Sequence, residues 1–313
     1  MNASLNQNLV TITVLVGVSL GFLFPNFGME WKPHVIYLLM LLIFSSALTI
    51  EPDKVIRSAY DVKSLAYILL TIFVLSPILA LIGKLFFSPM TFAGIVLALS
   101  APSALSVAFY TGIFKGDTAY GLLISIITNL LAILTIPITM FLVLRTTINL
   151  DLPSVFLNLA EVILVPMVLA FLIQRTLRTS VMRISRFTSR TNLVLSIPII
   201  WGSMAAGVTY AETNPMQFLL VVVFIVTLLV ALFTVTYKLS VAKGSIDRHK
   251  KAITTAIAVS ARNGSLPLVI ASALFNSEIL LPLMANIVAQ CLFLAALGTL
   301  IGRIHNIHDC KED

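Results

Sequence analysis

The chain has 313 residues, of which 59% are hydrophobic and 11% are charged, and its mean hydropathy is +1.04. Soluble domains are about 25% charged, so this composition excludes a water-soluble protein. The formal net charge of +7 is expected from loops on the cytoplasmic side of a membrane, and no nucleic-acid partner is expected.

Ten apolar runs are long enough to cross a bilayer, which takes about 20 residues. They are predicted at residues 8–26, 33–50, 64–86, 91–114, 117–143, 154–176, 190–210, 215–237, 249–275 and 279–302. The first run has no Lys or Arg before it and nine runs follow it, so we interpret it as a span and not as a cleaved signal. The sequence therefore predicts an all-α membrane protein with ten transmembrane helices, called spans 1 to 10 below.

The positions of the basic residues predict the orientation of these spans. Sixteen of the twenty Lys and Arg lie on the side of the N-terminus, and Arg262 lies inside span 9. Only Lys32, Lys84 and Arg145 lie on the opposite side. Because basic residues accumulate in cytoplasmic loops, both termini are expected in the cytoplasm, with residues 305–313 as a tail. The expected location is the inner or plasma membrane of the cell.

Span 9 contains an arginine and helix-breaking residues at one place. Arg262 lies near its centre, and Asn263, Gly264, Ser265 and Pro267 follow. An arginine at the bilayer centre costs roughly +2.5 to +3.5 kcal/mol on insertion scales. Gly and Pro remove helix hydrogen bonds that lipid does not replace. The combination predicts a polar cavity that solvent reaches.

A purely structural role for this arginine is the alternative interpretation. In that case the guanidinium would pair with backbone carbonyls or with Glu161, the acid that lies clearly inside an apolar run.

Span 4 is interrupted in a similar way at Pro102. The segments at the two breaks both begin with Ser-Ala, about eleven residues into their spans, and both end in a short turn closed by an acid, Asp117 or Glu278. Asn129 and Gln290 each follow that acid by twelve residues.

Spans 4 and 9 are five spans apart and therefore cross the membrane in opposite directions. We predict two inverted repeats of five helices each, at residues 1–147 and 148–304, with broken crossing helices 4 and 9. This arrangement is typical of secondary transporters, whose substrate sites lie near the membrane midplane between the half-helices.

The candidate substrate-binding residues are polar or helix-breaking residues at the two breaks, together with amides on the spans that follow. They are Pro102, Ser103, Ser106, Asn129, Ser260, Arg262, Asn263, Gly264, Ser265, Asn286 and Gln290. Because a guanidinium binds a carboxylate through paired hydrogen bonds, the expected substrate is a small organic anion.

An intramembrane enzyme is not expected. All four histidines fall in loops or in the tail, and the FKGD sequence at 114–117 differs from the GxGD pattern of intramembrane aspartyl proteases. No catalytic residue, metal site or cofactor is therefore predicted.

Two local signatures resemble motifs of the bile acid:sodium symporter family. The resemblance would make this chain a divergent prokaryotic member. One is Pro102 followed fourteen residues later by Gly116 and Asp117, and the other is the run Asn263–Gly264–Ser265 at the helix 9 break. The resemblance covers nearly the whole chain. It implies alternating access between a core domain of helices 3–5 and 8–10 and a panel domain of helices 1, 2, 6 and 7. It also implies substrates such as bile acids or smaller carboxylates.

The sequence departs from that family at the sodium sites. In helix 9, the Glu and Gln of the family are Ala258 and Arg262 here. In helix 4, the Ser and Asn are Val107 and Ala108, and in helix 3 the Gln is Ile72. Of the expected ligands only Ser125 remains, as a weak ion-binding candidate. These losses predict transport without classical sodium sites, with Arg262 as a cation surrogate or an anion anchor.

The alternative is a sodium-coupled symporter for organic anions or bile acids. Its ligands would be rearranged onto Ser103, Ser106, Asn129 and backbone carbonyls. Na⁺ and H⁺ are both candidate coupling ions.

Overall fold

The computed structural model describes residues 3–48, 62–104, 106–144, 152–176, 178–241, 246–274 and 277–309. These residues form helices, and among them the β-structure is an isolated bridge. The helices are α1 (Ala3–Leu23), α2 (Pro25–Ala47), α3 (Val62–Leu70), α4 (Ser76–Ala80), α5 (Pro89–Ser100), α6 (Val107–Ile113), α7 (Thr118–Leu144), α8 (Leu152–Thr176), α9 (Arg178–Thr213), α10 (Pro215–Val241), α11 (Ile246–Ser260), α12 (Ser265–Leu274) and α13 (Ser277–Asp309). A π-helical turn, Thr71–Leu75, joins α3 to α4, and a 3₁₀ turn, Leu81–Leu85, follows α4.

Seven helices within the described residues are long and apolar enough to cross a membrane. They are Pro25–Ala47, Lys63–Leu85, Thr118–Leu142, Phe156–Thr176, Thr191–Thr213, Pro215–Val241 and Glu278–Gly298. The predicted all-α membrane class is confirmed. Predicted spans 4 and 9 fall outside this set because each is interrupted, and span 1 contributes the shorter apolar helix Ile12–Leu23. The total of ten helices and the inverted repeat stay predictions.

The helices pack in two groups. In the first, α9 packs along α1 and α2, and α8 packs along α2. In the second, α10 packs along α11 and α13, and α5 packs along α13. Glycines permit this packing: a Cβ at Gly94 of α5 would lie 2.5 Å from the Ile279 carbonyl oxygen of α13. Close backbone approach is a common role of small residues in membrane helices.

The first group meets the second along α9. Gly207 of α9 lies directly against Met284 and Leu280 of α13, and a Cβ at position 207 would collide with the Met284 sulfur. Met284 and Leu280 are buried there. The contact therefore depends on the missing side chain at position 207.

Asp117 and Glu278, at the starts of the helices that follow the interrupted spans, each form a hydrogen bond with a residue of another segment. The Asp117 amide donates to Thr254 Oγ1 of α11 at 2.8 Å, and Asp117 Oδ1 caps α7 by accepting from the Tyr120 amide at 2.9 Å. At the other turn, the Glu278 carboxylate of α13 accepts from the Ser88 hydroxyl, which precedes α5. The Asp117 backbone thus links the start of α7 to α11, and the Glu278 side chain links the start of α13 to the residue before α5.

The geometry explains why glycine precedes Asp117. Lys115, two residues after the end of α6, is in the left-handed region with φ of 57°. A Cβ at Gly116 would lie 2.6 Å from Thr254 Oγ1, so a larger residue would push α11 away.

The predicted orientation is testable with single cysteines in a background where Cys291 and Cys310 are replaced by Ser. A membrane-impermeant thiol reagent applied from outside should modify Thr213→Cys, which lies at the end of α9, and spare Lys250→Cys in α11. Both positions are exposed, so local burial does not account for a difference. Modification of the cysteine at 250 and protection of the cysteine at 213 would contradict the orientation.

Candidate functional site

The two interrupted spans meet at their breaks. Helix α5 ends at Ser100 and α11 ends at Ser260, and the extended segments that follow them pair as one antiparallel bridge between Ser103 and Arg262. The Ala104 amide donates to the Ala261 carbonyl at 2.9 Å, and the Asn263 amide donates to the Pro102 carbonyl at 2.7 Å. Each break thus supplies the backbone partners that the other loses, a requirement at membrane depth.

Local sequence explains where the helices stop and restart. Pro102 has no N–H to continue α5. On the other strand of the bridge, Pro267 lies in the first turn of α12, where the missing N–H costs nothing because those donors have no helical partner. Between these points Gly264 allows close packing, since a Cβ there would lie 3.0 Å from Ile287 Cγ1 and 3.4 Å from Asn286 Nδ2.

Ser103 is completely buried, and its hydroxyl, carbonyl and amide groups all form hydrogen bonds. Its hydroxyl donates to the Ala258 carbonyl at 2.7 Å, its carbonyl accepts from Asn129 Nδ2 at 2.9 Å, and its amide donates to Thr128 Oγ1 at 3.2 Å. These bonds join span 4 to α11 and α7, so Ser103 holds the crossing together.

Asn129 connects the two breaks. Besides its bond to Ser103, Nδ2 donates to the Ser125 carbonyl at 2.8 Å, and Oδ1 accepts from Asn263 Nδ2 at 3.1 Å. Gln290 of α13 has a comparable position, because its Oε1 accepts from the Arg262 amide at 2.8 Å. Each amide thus bonds to the break in the span that precedes it, as their equal spacing in the sequence suggests.

Arg262 is 2% exposed and is among the largest fully buried side chains of the described residues. Its Nη1 donates to the Ala101 carbonyl at 3.2 Å. Neither Nε nor Nη2 has a hydrogen-bond partner among the described residues. Glu161, the acidic partner considered from the sequence, is exposed on α8 and does not bond to this guanidinium. The observed partner is therefore a backbone carbonyl.

The helix ends account for a buried guanidinium without a carboxylate. Both α5 and α11 end at the crossing, and a helix C-terminus carries about −0.5 elementary charge. The two ends together roughly offset the charge of Arg262. Ala101, which accepts the hydrogen bond, is the residue that follows α5.

Asn286 is a second buried polar side chain at the crossing with unused hydrogen-bonding groups. It is 0% exposed, and neither its Nδ2 nor its Oδ1 has a partner in the described part of the chain. It lies one helical turn before Gln290 on α13 and beside Gly264, so it faces the same break as Arg262.

Three sequence-predicted residues are not part of this cluster. Ser260 is oriented towards the Leu229 carbonyl of α10 at 3.5 Å, away from the bridge. Ser106 and Ser265 are half-buried at the starts of α6 and α12, and Ser106 makes no capping bond with its side chain. The residues that the structure brings together are Pro102, Ser103, Asn129, Arg262, Asn263, Gly264, Asn286 and Gln290.

Three positions that the resemblance assigned to sodium ligands are apolar and buried. Ile72, Val107 and Ala258 are each 0% exposed and belong to one hydrophobic cluster. Ser125 keeps its hydroxyl, which donates to the carbonyls of Ala104 and Gly121 at 2.8 and 3.0 Å. Hard cations prefer several oxygen ligands, and these four side chains offer one.

Sequence reasoning missed two contributors to the site. Thr128 accepts from the Ser103 amide, and its position three residues after Ser125 on α7 is the signal that was available. The Ala101 carbonyl, which accepts from Arg262, has no side-chain signal at all.

Comparison with models of protein families matches residues 7–303 to the SBF-like CPA transporter family (DUF4137). The chain belongs to this family. The family is bile acid:sodium symporter-like, which confirms the resemblance drawn from the two signatures. A search of curated proteins finds no match. Membership in the SBF-like CPA transporter family and the apolar helices together support a multi-pass membrane transporter.

The network around Asn129 should be essential for stability. Replacing Asn129 by Leu keeps the approximate shape but leaves the Ser103 carbonyl and Asn263 Nδ2 without this partner, at about 1–3 kcal/mol for each buried group. We expect a clearly lower unfolding temperature in detergent. Asn158→Leu is the matched control, because Asn158 is exposed on α8 and its loss should change little. Equal shifts in the two variants would show that the network contributes nothing.

Proposed function

We propose that this protein is a secondary active transporter that moves a small, carboxylate-bearing organic anion by alternating access. It would operate without classical sodium sites. The observation that carries the proposal is the buried guanidinium of Arg262 at the crossing of two interrupted helices, where Nε and Nη2 have no hydrogen-bond partner among the described residues.

The two unpartnered nitrogens of Arg262 have the right geometry for an anion. Nε and Nη2 lie on the same side of the planar guanidinium, so their N–H bonds run parallel. A carboxylate accepts two parallel hydrogen bonds from such an edge, which is the strong, oriented form of this pairing. Nη1, on the other side, donates to the Ala101 carbonyl and helps to orient the guanidinium plane. Arg262 would therefore be both oriented by the protein and open to a ligand.

We also propose that Arg262 takes the electrostatic role of a bound cation. Its charge lies where the C-termini of α5 and α11 meet, and three positions of the expected sodium site are buried and apolar. The rearranged sodium site has less support. The Ser103 hydroxyl donates to the Ala258 carbonyl, and Asn129 Oδ1 already accepts from Asn263.

The proposed architecture has two inverted repeats, 1–147 and 148–304, and the packing of the helices supports its division into a panel and a core. The group of α1, α2, α8 and α9 corresponds to the proposed panel of spans 1, 2, 6 and 7. The group around α5, α10, α11 and α13 corresponds to the proposed core. Alternating access would move one group past the other along the contact of Gly207 with Met284.

Removing the charge of Arg262 tests the proposed anion anchor. Arg262→Met keeps much of the length, so the protein should still fold, while affinity for small carboxylates should fall roughly tenfold to a hundredfold, as expected for a lost hydrogen bond to a charged group. Binding is measured by titrating the purified protein with potassium acetate and potassium propanoate and following the unfolding temperature.

Arg175→Met is the matched control. Arg175 is exposed at the end of α8, so its replacement should leave carboxylate affinity unchanged. Unaltered carboxylate affinity in Arg262→Met would remove Arg262 from the site. If Arg262→Met misfolds while the parent binds carboxylates, Arg262 has a structural role. Arg262→Lys, which restores the charge, then tests whether the charge also binds the carboxylate.

A further inference from the structure

The contact between α9 and α13, called the seam below, is closed at one end. Gly207 of α9 lies against Met284 and Leu280 of α13, and a Cβ at position 207 would lie 3.1 Å from Leu280 Cβ. The two helices correspond to predicted spans 7 and 10, which cross the membrane in opposite directions. The closed end is therefore the end near Thr213 and Ser277, which the distribution of basic residues places outside the cell.

The facing surfaces of the two helices become exposed towards the other end of the seam. Residues four, seven or eleven positions apart lie on one face of a helix. On α9 this face carries Gly207 and Ser203, which are buried, and then Ser196, which is half-buried. On α13 the same face continues from the closed contact to Cys291, which is half-buried, and to Ala295, which is exposed.

The antiparallel register brings these exposed positions to one level. Both helices rise by the same distance per residue, so a step back along α9 is matched by a step forward along α13. Gly207 lies beside Met284, and eleven residues further along each helix Ser196 lies level with Ala295. The seam is therefore a wedge that opens towards the predicted cytoplasmic side.

Two further connections hold the closed end together. Phe22, in the last turn of α1, meets Phe218, in the first turn of α10, edge to face with ring centroids 6.1 Å apart. Asn214 is the single residue between α9 and α10. Each connection joins the group of α1, α2, α8 and α9 to the group of α5, α10, α11 and α13.

Ser203 indicates that the closed end separates in another conformation. Its side chain is 1% exposed, and its hydroxyl has no hydrogen-bond partner among the described residues. Such groups are rare in folded proteins, because burial removes the water that would otherwise bind them. Ser203 lies one helical turn from Gly207, so opening of this end would give its hydroxyl access to water.

The open part of the seam ends level with the helix crossing. Along α13, burial changes between Gln290, which is buried, and Cys291, which is half-buried. Gln290 Oε1 accepts from the Arg262 amide at 2.8 Å. The inner end of the wedge is thus next in sequence to the side chain that holds the arginine.

We propose that this structure is the inward-facing conformation of the transporter. The wedge between α9 and α13 is the path from the cytoplasm to the crossing, and the contacts Gly207–Met284 and Phe22–Phe218 form the closed external gate. This inference rests on the proposed function and adds to it the side from which the site is reached and the residues that close the other side.

Single cysteines test the path in the background where Cys291 and Cys310 are replaced by Ser. The full-length protein is treated with a charged, membrane-impermeant thiol reagent, in intact cells and in inverted membrane vesicles. We expect Ser196→Cys and Ala295→Cys to react in inverted vesicles and not in intact cells, and Ser203→Cys to be protected in both. Protection of the cysteines at 196 and 295 in inverted vesicles would overturn the proposal, as would their reaction in intact cells.

Val168→Cys is the matched control for exposure to lipid. Val168 is 53% exposed on α8 and lies about as far from the external end of its helix as Ser196 does on α9. A charged reagent does not enter lipid readily, so the cysteine at 168 should stay unmodified from both sides. If it reacts as fast as the cysteine at 196, the seam is not a specific path and the proposal fails.

Gly207→Ala tests the external gate. The added Cβ would meet the Met284 sulfur, so the external end should open and Ser203→Cys should become reactive in intact cells. Gly202→Ala is the matched control, because a Cβ there would lie 2.6 Å from Val35 Cγ2 of α2 and crowds only the first group of helices. If Gly207→Ala does not fold, Phe218→Ala weakens the same gate. A cysteine at 203 that stays protected in these variants would contradict the assignment of the gate.

The modification pattern needs no substrate, so it is independent of the carboxylate titration of Arg262→Met. If the cysteines at 196 and 295 are closed to the cytoplasm while Arg262→Met loses carboxylate affinity, this inference fails and the proposed anion anchor stands. The cysteines at 213 and 250 report the orientation separately, so an inverted topology is not mistaken for an outward-facing conformation.

Discussion

An interrupted helix inside a membrane leaves backbone N–H and C=O groups that lipid does not satisfy, and this constraint shapes the centre of the molecule. Here two interruptions satisfy each other. Ser103 and Arg262 pair as a short antiparallel bridge, so the amides and carbonyls of one break bond with those of the other. Asn129 and Gln290, from the helices that follow, complete the set of bonds. Each break supplies backbone hydrogen-bond partners to the other, so the two interrupted spans are joined at this point.

The same crossing concentrates partial charge. Two helix C-termini meet there, and a positive charge near them is favourable. In this chain the charge belongs to the protein, because Arg262 donates to the carbonyl that follows α5. A built-in cation does not leave during a transport cycle, whereas a bound ion does. Under the proposed function this difference removes Na⁺ from the coupling and leaves the outer edge of the guanidinium for the substrate.

Much of this arrangement was predictable from sequence, because each feature has a strong local cause. Pro102 and Pro267 each lack the N–H that a continuous helix needs, and equal spacings from Asp117 and Glu278 predicted that Asn129 and Gln290 would have similar positions. Side-chain direction was less predictable. Ser260 points towards α10 and Glu161 is exposed, because helix rotation is fixed by packing against distant parts of the chain. The Ala101 carbonyl was not predictable, since every residue has one.

Arg262 is proposed to hold the place of a cation, and the dependence of stability on Na⁺ is the direct test of that role. Unfolding temperatures of the parent and of the double variant Ala258→Glu/Arg262→Gln are measured while Na⁺ replaces K⁺ at constant ionic strength. A ligand that binds only the folded state stabilises it by about 2.7 kcal/mol at one hundred times its dissociation constant. If Arg262 replaces the cation, Na⁺ should not raise the unfolding temperature of the parent, and it should raise that of the double variant in a saturable way. A saturable, Na⁺-specific rise in the parent would contradict it.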